Sequence, residues 1–126
     1  MELGDLELAV LRVVRMLGEA SSGEVFEELQ KSRPVAYTSV TTTLYRLVDK
    51  DLVAQRKLSE KRIFYRIKSG PAYRKAMASM VDSLLDTFGG AAVSYLLDKP
   101  RGLTDEETES LRNQAVRQRK KESLHD

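Results

Sequence analysis

Several stretches of the chain repeat apolar residues at helical spacing, and two short runs between them are rich in strand-forming residues. Leu6, Ala9, Val10, Val13 and Leu17 predict a first helix, with Asp5 as its N-cap and Gly18 as its terminator. Ser21-Ser22-Gly23-Glu24 has the Ser-x-x-Glu form of a capping box, and the helix it opens, over roughly 22–31, carries Val25, Phe26 and Leu29 on one face. Ser32-Arg33-Pro34 ends it, since proline cannot continue a helix.

A third helix is expected from Thr38 to Lys50, where Val40, Leu44, Leu47 and Val48 recur at i, i+4, i+7 and i+8 and form one stripe. Its opposite side carries Thr38, Ser39, Thr42, Tyr45 and Arg46. The four threonines and two valines of this stretch favour a strand by propensity, but strand alternation would send Leu47 and Val48 to opposite faces, so the periodicity decides for a helix. Two short helices joined by a tight connection, the second polar outside, make a helix-turn-helix. Short hydroxyls followed one turn later by an arginine suit a DNA groove, although a merely solvated polar face has the same composition.

Residues 52–57 and 63–67 are strand-prone, with Ile63, Tyr65 and Ile67 on one face at period two. Their connection, 58–62, lacks an Asn-Gly pair, which predicts a longer loop in place of a two-residue turn. Arg56, Lys57, Lys61 and Arg62 cluster about that hairpin's tip. Basic residues there also discourage edge-to-edge aggregation, yet a basic hairpin directly after a helix-turn-helix is the arrangement of a winged helix, with the wing beside the phosphates.

Pro71 suits the first position of a long helix whose stripe is Tyr73, Met77, Met80, Val81, Leu84 and Phe88, continued past Gly89-Gly90 by Val93, Leu96 and Leu97. A further helix is expected from Thr104-Asp105-Glu106-Glu107, with Leu111, Ala115 and Val116 as its apolar contacts. Such thin stripes are marginal alone, and a two-fold partner that pools them is the economical solution; folding back on the chain's own winged helix is the alternative. Met77, Met80, Val81, Leu84, Leu85, Phe88, Val93, Leu96 and Leu97 are the candidate dimerisation residues. The fold class is therefore mainly α with a small β-hairpin: a winged helix-turn-helix over 1–69, then a helical dimerisation region over 70–126.

Charge sharpens the picture. Residues 1–28 hold seven Asp/Glu and two Arg, a balance of −5; residues 29–68 hold ten Lys/Arg and three Asp/Glu, a balance of +7; residues 69–126 hold nine of each. The positive charge thus coincides with the third helix and the hairpin, where a phosphate-binding surface needs it. With 126 residues, 41% of them hydrophobic, the chain can build a modest core. It has no cysteine, which excludes disulfides, thiolate zinc sites and a cysteine nucleophile, and its one histidine, His125, lies in a polar tail. Neither a paired acidic motif nor a nucleophile-base set supports an enzyme, and no cofactor or metal is expected. The absence of a membrane-length apolar run or a signal peptide predicts a cytoplasmic protein. The run Arg117-Gln118-Arg119-Lys120-Lys121 reads as a solvated tail or a nonspecific DNA contact.

The chain resembles the penicillinase repressors (BlaI/MecI), a family that also includes the CopY copper-responsive repressors. Leu3-Gly4-Asp5-Leu6-Glu7, the run from Ala36 to Val48, Arg62-Ile63-Phe64-Tyr65, Phe88-Gly89-Gly90 and Leu103-Thr104-Asp105-Glu106-Glu107 carry the likeness over nearly the whole length. The resemblance implies a homodimeric winged-helix repressor that binds double-stranded DNA at palindromic operators. It also implies a regulatory protease as a partner, since induction in the β-lactam branch involves cleavage of an Asn-Phe bond in the dimerisation half. The aligned position here is Asp98-Lys99, which lacks that dipeptide, and the absence of cysteine excludes the metal-thiolate sensing of the copper branch. A winged helix used for protein–protein contact without a DNA role is the rival reading, opposed by the basic segment and the hydroxyl-rich helix.

Overall fold

The elements follow in the order α1 (Asp5–Leu17), β1 (Glu19–Ser21), α2 (Ser22–Gln30), α3 (Tyr37–Asp49), β2 (Val53–Ser59), β3 (Arg62–Ile67), α4 (Pro71–Phe88) and α5 (Gly90–Asp98). The computed structural model describes residues 3–98, 106, 109, 112–114, 116 and 117. The chain forms two compact units, Met1–Ala76 and Met77–Asp126, divided within α4.

In the first unit α1 starts one residue earlier than expected. Its N-cap is Gly4, whose amide donates to the Glu7 carboxylate at 3.2 Å, and Asp5 is the first helical residue, where its charge favours the positive end of the helix. At the other end Gly18, at φ 82°, donates its amide to the Val14 carbonyl at 2.9 Å. Leu17, expected in the stripe, is instead 37% exposed, because it lies in the last turn; Val14 is buried instead.

The capping box of α2 forms as its spacing predicts. Ser21 Oγ accepts from the Glu24 amide at 3.2 Å, and the Glu24 carboxylate accepts from the Ser21 amide at 3.1 Å. Val25 and Leu29 of α2 then meet Val10 and Val14 of α1 and Val40, Leu44 and Leu47 of α3 in one core. Thr43 joins the buried face of α3, its hydroxyl satisfied by the Ser39 carbonyl at 2.7 Å.

The helix ends in a left-handed turn. Asp51, at φ 65°, donates its amide to the Val48 carbonyl at 3.0 Å, while Leu52 donates to that of Leu47 at 3.0 Å, which is the bonding of a Schellman motif. Asp51 stands where glycine is the usual occupant, and its carboxylate is held by Lys68 at 2.5 Å.

The three strands form one antiparallel sheet in the order β1-β3-β2. Ala20 pairs with Tyr65 on one side, and Gln55 pairs with it on the other. Tyr65 is buried, with Ile63 and Ile67 packed at the core's margin, so the period-two face of β3 is the inner one. The hairpin differs from the expected long loop. Ser59 pairs with Arg62, leaving Glu60 and Lys61 as a two-residue turn, and the register slips between Lys57 and Ser59 so that Leu58 is the extra residue of a bulge. That bulge adds local twist, which a turn without Asn-Gly would not impose by itself.

In the second unit Leu85 and Val93 are buried, with Val81, Leu96 and Leu97 packed against them. Gly89, at φ 65°, makes the turn between α4 and α5 and donates its amide to the Leu85 carbonyl at 2.7 Å. Met77, Met80, Leu84 and Phe88 remain exposed. The helix expected from Thr104 and the basic run from Arg117 to Lys121 lie outside the described residues, apart from scattered positions.

Candidate nucleic-acid interface

A threonine-rich helix is an unusual choice, since β-branched side chains lose rotamer freedom there. Two of these threonines turn their hydroxyls back onto the helix: Thr41 Oγ1 donates to the Thr38 carbonyl at 3.0 Å and Thr43 Oγ1 to that of Ser39. Among the described residues, the hydroxyls of Thr38, Ser39 and Thr42 make no hydrogen bond within the chain, and Thr38, Thr42, Tyr45 and Arg46 are exposed. Ser39 is half-buried beneath them. The outer face of α3 is thus a row of uncommitted short hydroxyls flanked by a phenol and a guanidinium.

Beside it opens a polar groove of about 620 Å3. Tyr37, Thr41 and Tyr45 of α3 form one wall at spacing i, i+4, i+8; the wing from Lys61 to Tyr65 forms the other, and Ser21, Ser22 and Glu24 close it at the start of α2. Of the residues singled out from the sequence, Tyr45, Lys61 and Arg62 meet here. Tyr37 and Thr41 were not singled out, although their spacing with Tyr45 was the available signal.

The wing cations separate into two groups. Arg56 stands opposite Phe64 in the sheet, places its guanidinium 5.6 Å from that ring's centroid and donates through Nε to the Glu19 carboxylate of β1 at 3.1 Å, with a second bond from Nη2 to the same oxygen. The Arg56 hydrogen bond holds the Glu19 carboxyl below its ordinary range against a slight desolvation, helped by the charges of Arg56 and Arg66; the same bond raises the Arg56 pKa. Among the described residues, Lys57, Lys61, Arg62 and Arg46 form no ion pair. By strand alternation Lys57 shares the inner face with Gln55, away from Arg56.

Two further contacts fix α3 and the wing root. Lys50 Nζ reaches the Glu7 carboxylate of α1 at 2.6 Å. Partial burial pushes the Glu7 pKa up, but the bonds from Lys50 and the Gly4 amide and the charges of Lys50 and Arg46 outweigh it and hold it below the ordinary value. Tyr65 lies inside the groove's floor, only 3% exposed. Burial raises its phenol pKa, a bond from Gln55 works against that, and neighbouring Tyr45 and Tyr37 add to the rise, so the phenol stays neutral and donating.

Among the described residues no group of His, Cys, Asp or Glu is placed to hold a metal ion, and no helix is long and apolar enough to cross a membrane. The arrangement presents hydroxyls, phenols and unpaired cations on one surface, and such a surface binds through hydrogen bonds and charge. The family model described as penicillinase repressor matches residues 3–117. Comparison with curated proteins gives no match for this chain.

Proposed function

The chain belongs to the penicillinase repressor family, a family of DNA-binding transcriptional repressors, and we propose that it acts as a homodimer on palindromic operators in the cytoplasm. The observation that carries this reading is the shared open surface of α3 and the wing, where Tyr45 and the unpaired Lys61 and Arg62 line one groove beside the free hydroxyls of Thr38 and Thr42. Thr38, Ser39, Thr42, Tyr45 and Arg46 face base edges, while Lys57, Lys61 and Arg62 hold phosphates. Arg56 is already engaged by Glu19, so its role is to hold the wing in place.

Dimerisation is supported by what the second unit leaves uncovered. Leu84, Phe88, Ala91, Ala92, Tyr95 and Leu96 border an apolar hollow of about 340 Å3, beside exposed Met77 and Met80. A second copy offers the same stripe to fill it, as a two-fold interface requires. Val81, Leu85, Val93, Leu96 and Leu97 then support that face from within each protomer. Release by a regulatory protease enters this reading only with a bond specificity other than Asn-Phe, since Asp98-Lys99 stands at the aligned position.

Titration against palindromic DNA and an isolated half-site across a range of salt tests the proposal. Each phosphate contact should add roughly −0.9 to the log–log slope, and the palindrome should bind far more tightly than the half-site. Thr42→Ala should erode discrimination by about 1 kcal/mol per half-site with the salt slope unchanged. A flat salt dependence removes DNA from the account.

A further inference from the structure

We propose that the groove between α3 and the wing seats a backbone phosphate of the DNA, held by the paired hydroxyls of Ser22 and Tyr37 together with Lys61 and Arg62. The inference rests on the operator-binding reading and adds to it a contact outside the outer face of α3. Ser22 Oγ and Tyr37 Oη lie 2.7 Å apart. Two hydroxyls sharing one hydrogen bond have two protons between them; one fills the shared bond and the other points outward, whichever oxygen donates inward. The pair is therefore a standing donor in search of an acceptor.

The pair is also held in place. Tyr37 is the first residue of α3, and its ring stands edge-on to Phe26 of α2, with centroids 5.5 Å apart and planes at 86°. The other groups of the groove select the acceptor's charge. Lys61 and Arg62 form no ion pair among the described residues, whereas Glu24, the one carboxylate of the lining, is turned back onto the Ser21 amide. Thr41 adds no donor, because its proton is committed to the Thr38 carbonyl. An anion that accepts hydrogen bonds is the complement, and a groove of about 620 Å3 has room for about twenty waters at about 30 Å3 each, which suits a strand of sugar-phosphate better than a single small ion.

The double variant Ser22→Ala/Tyr37→Phe removes both protons and keeps the ring against Phe26. It should bind operator and unrelated DNA about tenfold more weakly, with the salt slope of the parent, because a hydrogen bond to phosphate is lost but no charge. Operators carrying one methylphosphonate at each position in turn should reveal a position that weakens the parent to the same extent and leaves the double variant unaffected. Melting temperatures equal to the parent's show that the loss is not unfolding. Unchanged affinity, an altered sequence preference, or methylphosphonate losses that simply add to the variant's at every position overturn the contact. In each of those cases the parent still binds DNA in a salt-dependent way; a parent that does not bind overturns the operator reading itself.

Discussion

Leu44 and Leu84 occupy opposite situations: the first has no exposed surface, and the second keeps 43% of its surface exposed. The contrast holds for the units around them. In the first, three helices and a sheet enclose Val10, Val14, Val25, Leu29, Val40, Leu47, Leu52 and Val53 on all sides. In the second, two helices in contact bury Leu85 and Val93 between them and leave Met77, Met80, Leu84 and Phe88 outside. A pair of helices has one mutual contact line, so an apolar stripe wider than that line stays uncovered until something else packs on it. One unit closes its core from within its own sequence, and the other displays a surface that fits a second copy.

The sharpest way to break this comparison is the same substitution in both places. Leu44→Asp should abolish cooperative folding of the winged helix, because an unpaired carboxylate in that core costs several kcal/mol out of a total stability of about 5–15 kcal/mol. Circular dichroism melting would show it, and the milder Leu44→Ala should cost about 2–5 kcal/mol. Leu84→Asp should instead leave the helical signal intact and convert a sedimenting dimer to a monomer, with affinity for the palindrome falling to that for the half-site. A Leu84→Asp protein that stays dimeric, or turns monomeric and binds the palindrome as tightly as the parent, would falsify the division of labour between the units.

Smaller effects sharpen the account of the first unit. Lys61→Gln and Arg62→Gln should each reduce the magnitude of the salt slope by about 0.9, measured by binding titration at several salt concentrations. Arg56→Gln should change it less, since that guanidinium is committed to Glu19; an equal change would place Arg56 among the phosphate contacts. The least effect is expected from Glu7→Gln. The Glu7 carboxyl is held below its ordinary 4.5, so the stability it contributes is complete above that value and is lost as pH falls through the lowered one. Glu7→Gln should therefore lower stability at neutral pH by under about 1 kcal/mol and flatten the acid side of the stability curve, as acid-to-neutral denaturant titrations would reveal.

Much of the first unit was legible because its helices carry strong periodicity and explicit start and stop residues. Val40, Leu44 and Leu47 could be assigned to the core, and the polar positions Thr38, Thr42, Tyr45 and Arg46 to the outside, from spacing alone. Strand β1 was not legible. Glu19-Ala20-Ser21 has neither strand propensity nor alternation, and pairs because β3 offers it an open edge. The two-residue turn was missed for the opposite reason, that its local sequence contradicts it and the bulge at Leu58 compensates. The commitment of Arg56 to Glu19 joins residues 37 positions apart, which charge counting along the chain cannot detect. Nor does spacing tell which of the apolar residues in α4 and α5 face one another and which face outward, so the nine candidates divided only in three dimensions.

The Arg56 link has a thermodynamic consequence. An isolated two-stranded hairpin is marginally ordered in water, and a wing built that way would lose conformational entropy when it met DNA. Here β3 is paired on both edges, and Arg56 reaches across Phe64 to Glu19, tying the hairpin to the strand that leads into α2. The wing's freedom is surrendered during folding, so the association step starts from a prearranged surface and loses little further entropy to ordering it.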